Sequence, residues 1–338
     1  MNILITGGAG FIGSHTVVAF AEAGFNPVII DDFSNSAHGV LDGLEKIVGR
    51  KITCYEQDCN DQKALLDIFQ KEKIDGVIHF AAFKAVGESM QQPLKYYKNN
   101  LNTIIALLET MQQTSVERVI FSSSCTVYGD PEQLPVTEAT PVQPAISVYG
   151  NTKQIGEQIF RDVVSVGNPL KVIALRYFNP VGAHPSGLIG ELPLGIPGNL
   201  IPFVTQTAAG IRPELTVFGD DYNTPDGSCV RDFIHVMDLA EAHVAAYKRL
   251  LKLDMPIHYD VINVGTGTGN SVLEIIREFE AVTGKALPHV IGKRRPGDIP
   301  SIYADVTKSK KVLEWSARRD LKTSLEDAWR WQQNLMKG

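Results

Sequence analysis

A chain of 338 residues that is 44% hydrophobic can bury a sizeable core, enough for two domains or one large domain with an appendage. Its formal charge of −6 leaves no basic footprint for nucleic acid, and no Lys/Arg cluster points to an anionic membrane. Any anionic ligand must therefore be held by locally placed groups.

The chain opens on a strand-like Asn2-Ile3-Leu4-Ile5-Thr6 instead of a charged and apolar export signal, and no apolar run approaches the roughly 18 residues of a membrane span. Cys54, Cys59, Cys125 and Cys229 have no metal-type spacing. The expectation is a cytoplasmic protein with four reduced thiols and no metal.

In chain order, short β-rich apolar runs fall at Ile3–Thr6, Val28–Ile30, Ile52–Tyr55, Val77–Phe80, Val119–Phe121 and Val172–Leu175, with helical patterns between them. That rhythm predicts an α/β fold, a Rossmann-type doubly wound parallel sheet over residues 1–179. From Pro180 to Pro202 the rhythm breaks into Gly- and Pro-rich loops, and 180–338 reads as a smaller C-terminal α/β region that covers the ligand. Two later segments, about 230–236 and 261–264, read as buried strands that can rejoin the first sheet.

Directly after the first run stands Gly7-Gly8-Ala9-Gly10-Phe11-Ile12-Gly13-Ser14, and a helical stretch follows it. Gly7, Gly10 and Gly13 let the backbone approach a pyrophosphate, while the helix end presents free N–H groups and the positive end of its dipole. Such a match alone can also be a tight structural turn. Here it lies at the first strand-to-helix junction, and the second run ends in Asp31-Asp32, where a carboxylate can accept hydrogen bonds from an adenosine ribose and would repel a 2′-phosphate. The pattern predicts NAD in preference to NADP.

Further along, Val119–Phe121 runs into Ser122-Ser123-Ser124-Cys125-Thr126, which places hydroxyls at the carboxyl end of a strand. Next, Ser147 is a candidate N-cap for a helix in which Tyr149 and Lys153, four residues apart, share one face. A Tyr and a Lys so spaced often mean only a solvated helix face. At the edge of an α/β crevice they form a candidate general base with its activating ammonium, because that charge and the helix N-terminus both favour phenolate. Ser124 can then pass a proton between a substrate hydroxyl and Tyr149.

The glycine turn, the serine ahead of the Tyr149/Lys153 helix and Arg176-Tyr177-Phe178-Asn179-Pro180-Val181-Gly182-Ala183-His184 together resemble the extended short-chain dehydrogenase/reductase superfamily. Within it the chain closely resembles the bacterial 4-epimerases of UDP-galactose. Segments His79–Ser89, Tyr96–Asn100, Val230–Val236 and Arg294-Arg295-Pro296-Gly297-Asp298 carry the likeness along nearly the whole chain.

The resemblance implies NAD as cofactor, with Gly7, Gly10, Phe11, Ile12 and Gly13 at the pyrophosphate, Asp31, Asn35 and Ser36 near the adenosine ribose and phosphates, and Asp58 and Cys59 at the adenine. Phe80, Ala81, Lys84, Asn99, Ser124, Tyr149, Lys153 and Phe178 complete the nicotinamide side. For a UDP-sugar it implies Ser124, Tyr149, Asn179, Asn199, Leu200, Phe218, Arg231, Arg295, Asp298 and Ile302, and a guanidinium suits phosphate because it can bridge two oxygens. The implied activity interconverts UDP-galactose and UDP-glucose through a 4-keto sugar, in a homodimer formed through the Tyr149 helix and one near Asn100 to Gln113.

Two positions depart from the pattern. Cys59 replaces an aliphatic residue, which is tolerated if only its backbone meets the cofactor. Ile302 stands where a large aromatic residue restricts the sugar pocket and a small one admits N-acetylated sugars, so the breadth of substrates stays open. A 4,6-dehydratase on the same scaffold needs an additional acid, and Cys125 and Thr126 stand where such enzymes carry Asp and Glu. A protein that merely senses NAD has no use for Ser124, Tyr149 and Lys153 in register.

Overall fold

The computed structural model describes residues 1–295 and 297–337. Six strands, β1 (Asn2–Thr6), β2 (Asn26–Asp31), β3 (Thr53–Glu56), β4 (Ile74–His79), β5 (Arg118–Ser122) and β6 (Lys171–Tyr177), form where β-branched apolar runs predict them. They are followed by β7 (Asn179–Val181), β8 (Leu215–Phe218), β9 (Val230–Arg231), β10 (Phe233–His235), β11 (His258–Val264), β12 (Asn270–Ser271), β13 (His289–Gly292) and β14 (Ser301–Ile302).

Seven of these build one sheet in the order β11-β6-β5-β4-β1-β2-β3, with every neighbouring pair parallel. Successive side chains leave a strand on opposite faces, so Ile3 and Ile5 enter one core and Leu4 the other. The helices Phe11–Glu22 and Val236–Leu251 cover the first face with Val17, Val18, Phe20, Leu239, Val244 and Tyr247. On the second face, Gln62–Glu72, Pro93–Thr114 and Val148–Ser165 contribute Leu65, Phe69, Ile104, Leu107, Phe160 and Val164. The chain winds from β1 outward to β3 and then returns to β4. The strand order therefore reverses beside β1, which opens a ligand crevice at the carboxyl ends of β1 and β4.

The two late segments part company. Val261–Val264 lies in β11 and pairs with Ala174–Tyr177 at the sheet edge. Contrary to expectation, residues 230–236 do not join the large sheet, and the cause is Asp232. Its fully buried carboxylate accepts hydrogen bonds from the N–H and hydroxyl of Thr266 (2.8 and 2.7 Å), from Gly267 N–H (3.0 Å) and from Ala304 N–H (3.2 Å). A buried carboxylate needs such donors, and meeting them splits the run. Thus β9 pairs with β12 and β14, while β10 pairs with β7. Around these small sheets the helices Leu200–Ala208, Val272–Thr283 and Leu321–Leu335 enclose a third core of Ile201, Val204, Val217, Phe233, Phe279 and Leu325. Among the described residues no helix is long and apolar enough to cross a membrane.

Three histidines are sealed into the large core. Burial pushes His15 and His79 down to about 3 and His243 to about 4, so all three are neutral in the folded chain at pH 7. Once unfolded, each titrates near its ordinary value of 6.5. Below that value the unfolded chain binds protons that the folded chain refuses, so stability present above pH 6.5 is lost as pH falls toward 4 and then 3. Urea unfolding is expected to show a lower midpoint at pH 5 than at pH 7. Equal midpoints at the two values contradict this reading.

Candidate active site

β1 delivers the chain into a turn at Gly7, whose φ of +67° suits glycine. The following helix lies directly on that turn: a Cβ on Gly13 would stand 2.1 Å from the Gly7 carbonyl oxygen and 2.8 Å from the Gly8 Cα. Gly10 caps the helix without a side chain, and among the described residues the N–H groups of Phe11, Ile12 and Gly13 find no acceptor. Three free donors at a positive dipole end suit a pyrophosphate.

Asp31 closes β2 and is buried. Its carboxylate accepts from Ala9 N–H (2.9 Å), Phe33 N–H (3.0 Å) and the Ser36 hydroxyl (2.9 Å), which ties the glycine turn to the loop that carries Asn35 and Ser36. Desolvation pushes its pKa up, and these donors oppose that shift. After β3, Asp58 holds its own turn by accepting from Asn60 N–H (2.8 Å) and the Asn60 amide (2.9 Å). Cys59 turns inward among Leu4, Val28 and Ile30, where burial raises its thiol well above the ordinary range and it packs as an aliphatic residue would. Phe80 and Ala81 follow β4, and their N–H groups are drawn onto Thr6 (both 3.1 Å), which sets this segment against Gly7. The carboxyl ends of β1 to β4 thereby share one crevice, and its residues fit an NAD.

The chemistry-bearing side chains meet at the end of β5. Ser124 opens a short turn, accepting from Thr126 N–H (3.2 Å) and the Thr126 hydroxyl (3.0 Å). Ser147 caps the helix Val148–Ser165 by accepting from Gly150 N–H (3.0 Å). On that helix Tyr149 and Lys153 are both buried, with the Lys153 ammonium 5.8 Å from the Tyr149 ring centre and donating to the Ser122 carbonyl at 2.7 Å. The Ser124 hydroxyl lies near enough to the Tyr149 phenol to favour its ionised form.

Electrostatically, burial opposes the phenolate expected at Tyr149. Burial pushes the phenol well above its ordinary range, the nearby Tyr177 adds to this, and the Ser124 hydroxyl offsets only part. Burial likewise pulls Lys153 down to about 7, with Glu157 opposing the shift. Without ligands, desolvation outweighs both the ammonium and the helix dipole. A cationic nicotinamide bound beside Tyr149 would add to the groups that favour phenolate.

Several residues of this frame escape a reading of the sequence. Glu157, one turn beyond Lys153, forms a buried bidentate pair with Arg176 (2.8 and 2.6 Å) and accepts from the Ser123 hydroxyl (2.5 Å), so it joins β5, β6 and the helix. Ser89 accepts from Tyr149 N–H (3.1 Å). Asn100 donates to the Thr152 hydroxyl (3.1 Å) and to the Phe83 carbonyl (3.0 Å). Their signals were faint: Glu157 continues the Tyr149/Lys153 face, and Asn100 follows Asn99. Asn99 itself accepts from Asn60 (3.0 Å), and Lys84 pairs with Glu191 (3.2 Å).

A second group gathers beyond β7. Asn179 opens that strand next to the buried Phe178, and its N–H donates to the Asp232 carbonyl at 2.9 Å. Phe218 ends β8 with 43% of its surface exposed, and the Arg295 guanidinium lies 5.5 Å from its ring centre. Arg295 grips Asp298 in two hydrogen bonds (3.1 and 2.7 Å), and Arg231 lies 3.9 Å from the same carboxylate. Asp298 therefore aims Arg295, while Arg231 donates to the Val230 carbonyl at 2.8 Å. Pro296, between Arg295 and Asp298 in the motif, lies outside the described residues. β14 sets Ile302 in register with Arg231, and its side chain packs with Cys125, Tyr128 and Phe178, so it connects this group to the turn after β5. Asn199 caps the helix Leu200–Ala208, and Leu200 is its first residue.

A family model described as GDP-mannose 4,6 dehydratase matches residues 4–328. A UDP-glucose 4-epimerase of Bacillus subtilis (strain 168) is 49% identical over 338 residues, covering 100% of this chain and 98% of its own. UDP-glucose 4-epimerase 2 of Arabidopsis thaliana is 48% identical over 336 residues, covering 98% and 95%. Among solved structures, a UDP-glucose 4-epimerase from Bifidobacterium longum in complex with NAD+ and UDP superposes with a TM-score of 0.96 at 44% identity, covering 100% of both chains. One from Stenotrophomonas maltophila, with bound NAD and formylated UDP-arabinopyranose, gives 0.96 at 45% identity, covering 100% and 99%. The chain therefore belongs to the family of that model and, within it, to the UDP-glucose 4-epimerases.

Proposed function

We propose that the chain interconverts UDP-galactose and UDP-glucose, using NAD for reversible oxidation at sugar C4. The observation that carries this is the buried convergence of Tyr149, Lys153 and Ser124 at the carboxyl end of β5, beside the glycine cradle. Held over the glycine turn and beside Asp31, NAD would supply reversible hydride transfer at C4. Tyr149 takes the proton of the 4-hydroxyl, with Ser124 as hydrogen-bond partner, and gives it back when the 4-keto sugar is reduced from its other face. Lys153, fixed by the Ser122 carbonyl, stabilises the phenolate and binds the nicotinamide ribose. Arg231 and Arg295 hold the diphosphate of UDP, so that binding strength lies away from a sugar that must rotate. In this reading residues 1–179 serve mainly the dinucleotide and 180–338 mainly the UDP-sugar.

A dehydratase would need an acid near Ser124. Burial pushes the Cys125 thiol up to about 12, and the Thr126 hydroxyl is spent on Ser124, so neither position donates a proton readily. Incubating the purified protein with UDP-galactose, UDP-glucose and their N-acetylated counterparts, with products identified by NMR, tests the proposal. Absence of C4 inversion, or a product lighter by one water, would overturn it.

Substrate breadth is expected to follow Ile302. Ile302→Tyr should reduce turnover of UDP-N-acetylgalactosamine relative to UDP-galactose by about tenfold or more, and Ile302→Ser should raise that ratio, since pocket size discriminates by roughly 1–3 kcal/mol. Unchanged kcat/KM ratios in both variants would remove Ile302 from this role. We further propose a cytoplasmic homodimer formed through the Tyr149 helix and Pro93–Thr114, on which Leu94 and Ile105 stay exposed. Light scattering on the purified protein measures that state directly.

A further inference from the structure

We propose that Glu191 is a positioning residue that keeps the start of the Leu200–Ala208 helix open to the UDP portion of the substrate and couples it to the cofactor side through Lys84. The inference rests on the reading of the chain as a UDP-sugar enzyme. Asn199 is the N-cap of that helix, with extended backbone angles of φ −99° and ψ 151°. Asparagine at this place ordinarily folds its side chain back onto the first free N–H groups of the helix.

Here it makes no such bond. Its amide is turned away and donates to Glu191 Oε1 at 2.6 Å. Because the third helical residue is Pro202, which has no N–H, the free donors are Leu200 and Ile201, and neither finds an acceptor among the described residues. By holding Asn199, Glu191 stops the cap from occupying the donors a ligand would use.

Glu191 is well placed to impose this geometry. Its carbonyl accepts from the Trp331 indole N–H at 3.0 Å, and the adjacent Gly190 lies so close to the indole that a Cβ would come within 2.5 Å of it. The carboxylate is only 11% exposed, and the same Oε1 also accepts from Lys84 Nζ at 3.2 Å. One oxygen thus joins a residue expected at the nicotinamide to one expected at UDP. A carboxylate that served only to neutralise Lys84 would have no need to hold Asn199.

The test uses the full chain with its bound cofactor, titrated calorimetrically with UDP alone and assayed with UDP-galactose. Glu191→Ala is expected to weaken UDP binding and raise KM by about tenfold, with kcat within about threefold and the melting temperature unchanged, as for loss of one oriented hydrogen bond. Glu191→Gln keeps an oxygen for the Asn199 amide and should stay within about threefold of the wild type in UDP affinity. Adding Asn199→Ala to Glu191→Ala removes the side chain that would otherwise cap the helix and should restore most of the lost UDP affinity. Wild-type UDP affinity in Glu191→Ala, no recovery of affinity in the double variant, or Glu191→Gln falling as far as Glu191→Ala each overturn the assignment. A wild-type chain that binds UDP yet inverts no UDP-sugar sinks the proposed activity alone, and the UDP titrations still decide on Glu191.

Discussion

Tyr149→Phe is expected to lower kcat by about 10³-fold, within the range a positioned general base contributes, while leaving NAD and UDP affinity nearly unchanged. The phenol oxygen has little structural work: the nearby Ser124 hydroxyl accepts from the Thr126 N–H and hydroxyl and keeps its place without it. Stability should therefore survive the change. Steady-state turnover of UDP-galactose, read beside a thermal melt, separates the two effects. A variant that keeps more than about a tenth of wild-type kcat would show that the base is another group.

Gly13→Ala should be nearly as damaging, by a different route. The added methyl would meet the Gly7 carbonyl oxygen at 2.1 Å, and that atom belongs to backbone held by the Gly7 N–H to Ile30 bond of 2.8 Å. Neither side can yield without lifting the helix Phe11–Glu22 off the turn and spreading the free N–H groups of Phe11, Ile12 and Gly13. The cost is expected near the top of the range for overpacking, about 3 kcal/mol, or roughly a hundredfold in dinucleotide affinity. Cofactor content after purification and NAD titration of the stripped protein measure it. Full occupancy in the variant would mean that the cradle does not depend on this close approach.

The large sheet was legible because its strands obey local rules. Alternation within β1 sends Ile3 and Ile5 one way and Leu4 the other, and both faces of β6 are apolar because both are covered. Residues 230–236 obey the same rule on paper, yet the single Asp232 overrides it, since its hydrogen-bond donors come from residues 266, 267 and 304. No local pattern announces such a meeting.

The site divides in the same way. Gly7 to Gly13 and the Tyr149/Lys153 spacing are local and were readable from the residues themselves. Arg231, Arg295 and Phe218 converge only after β8, β9 and the segment before β14 fold together, so without the family likeness they look like surface residues. Glu157 is buried by Arg176 on a strand that follows it in the chain, and its role emerges only when β6 pairs with β5. Burial at Tyr149 opposes the phenolate that the Lys153 ammonium and the helix end favour, and sequence counts those charges but not the water removed from them.

The seventh strand arrives late: β11 reaches β6 from residues 258–264, across some eighty residues that build other parts of the molecule. A fragment ended at residue 179 would keep the glycine turn, Asp31 and Tyr149, yet it would bare the whole flank of Lys171–Tyr177, a strand buried along its entire length. Such an uncovered, apolar flank invites pairing between molecules. A fragment of residues 1–179 is thus expected to associate or misfold, and ribosomal synthesis must pass residue 264 before the sheet has its last strand.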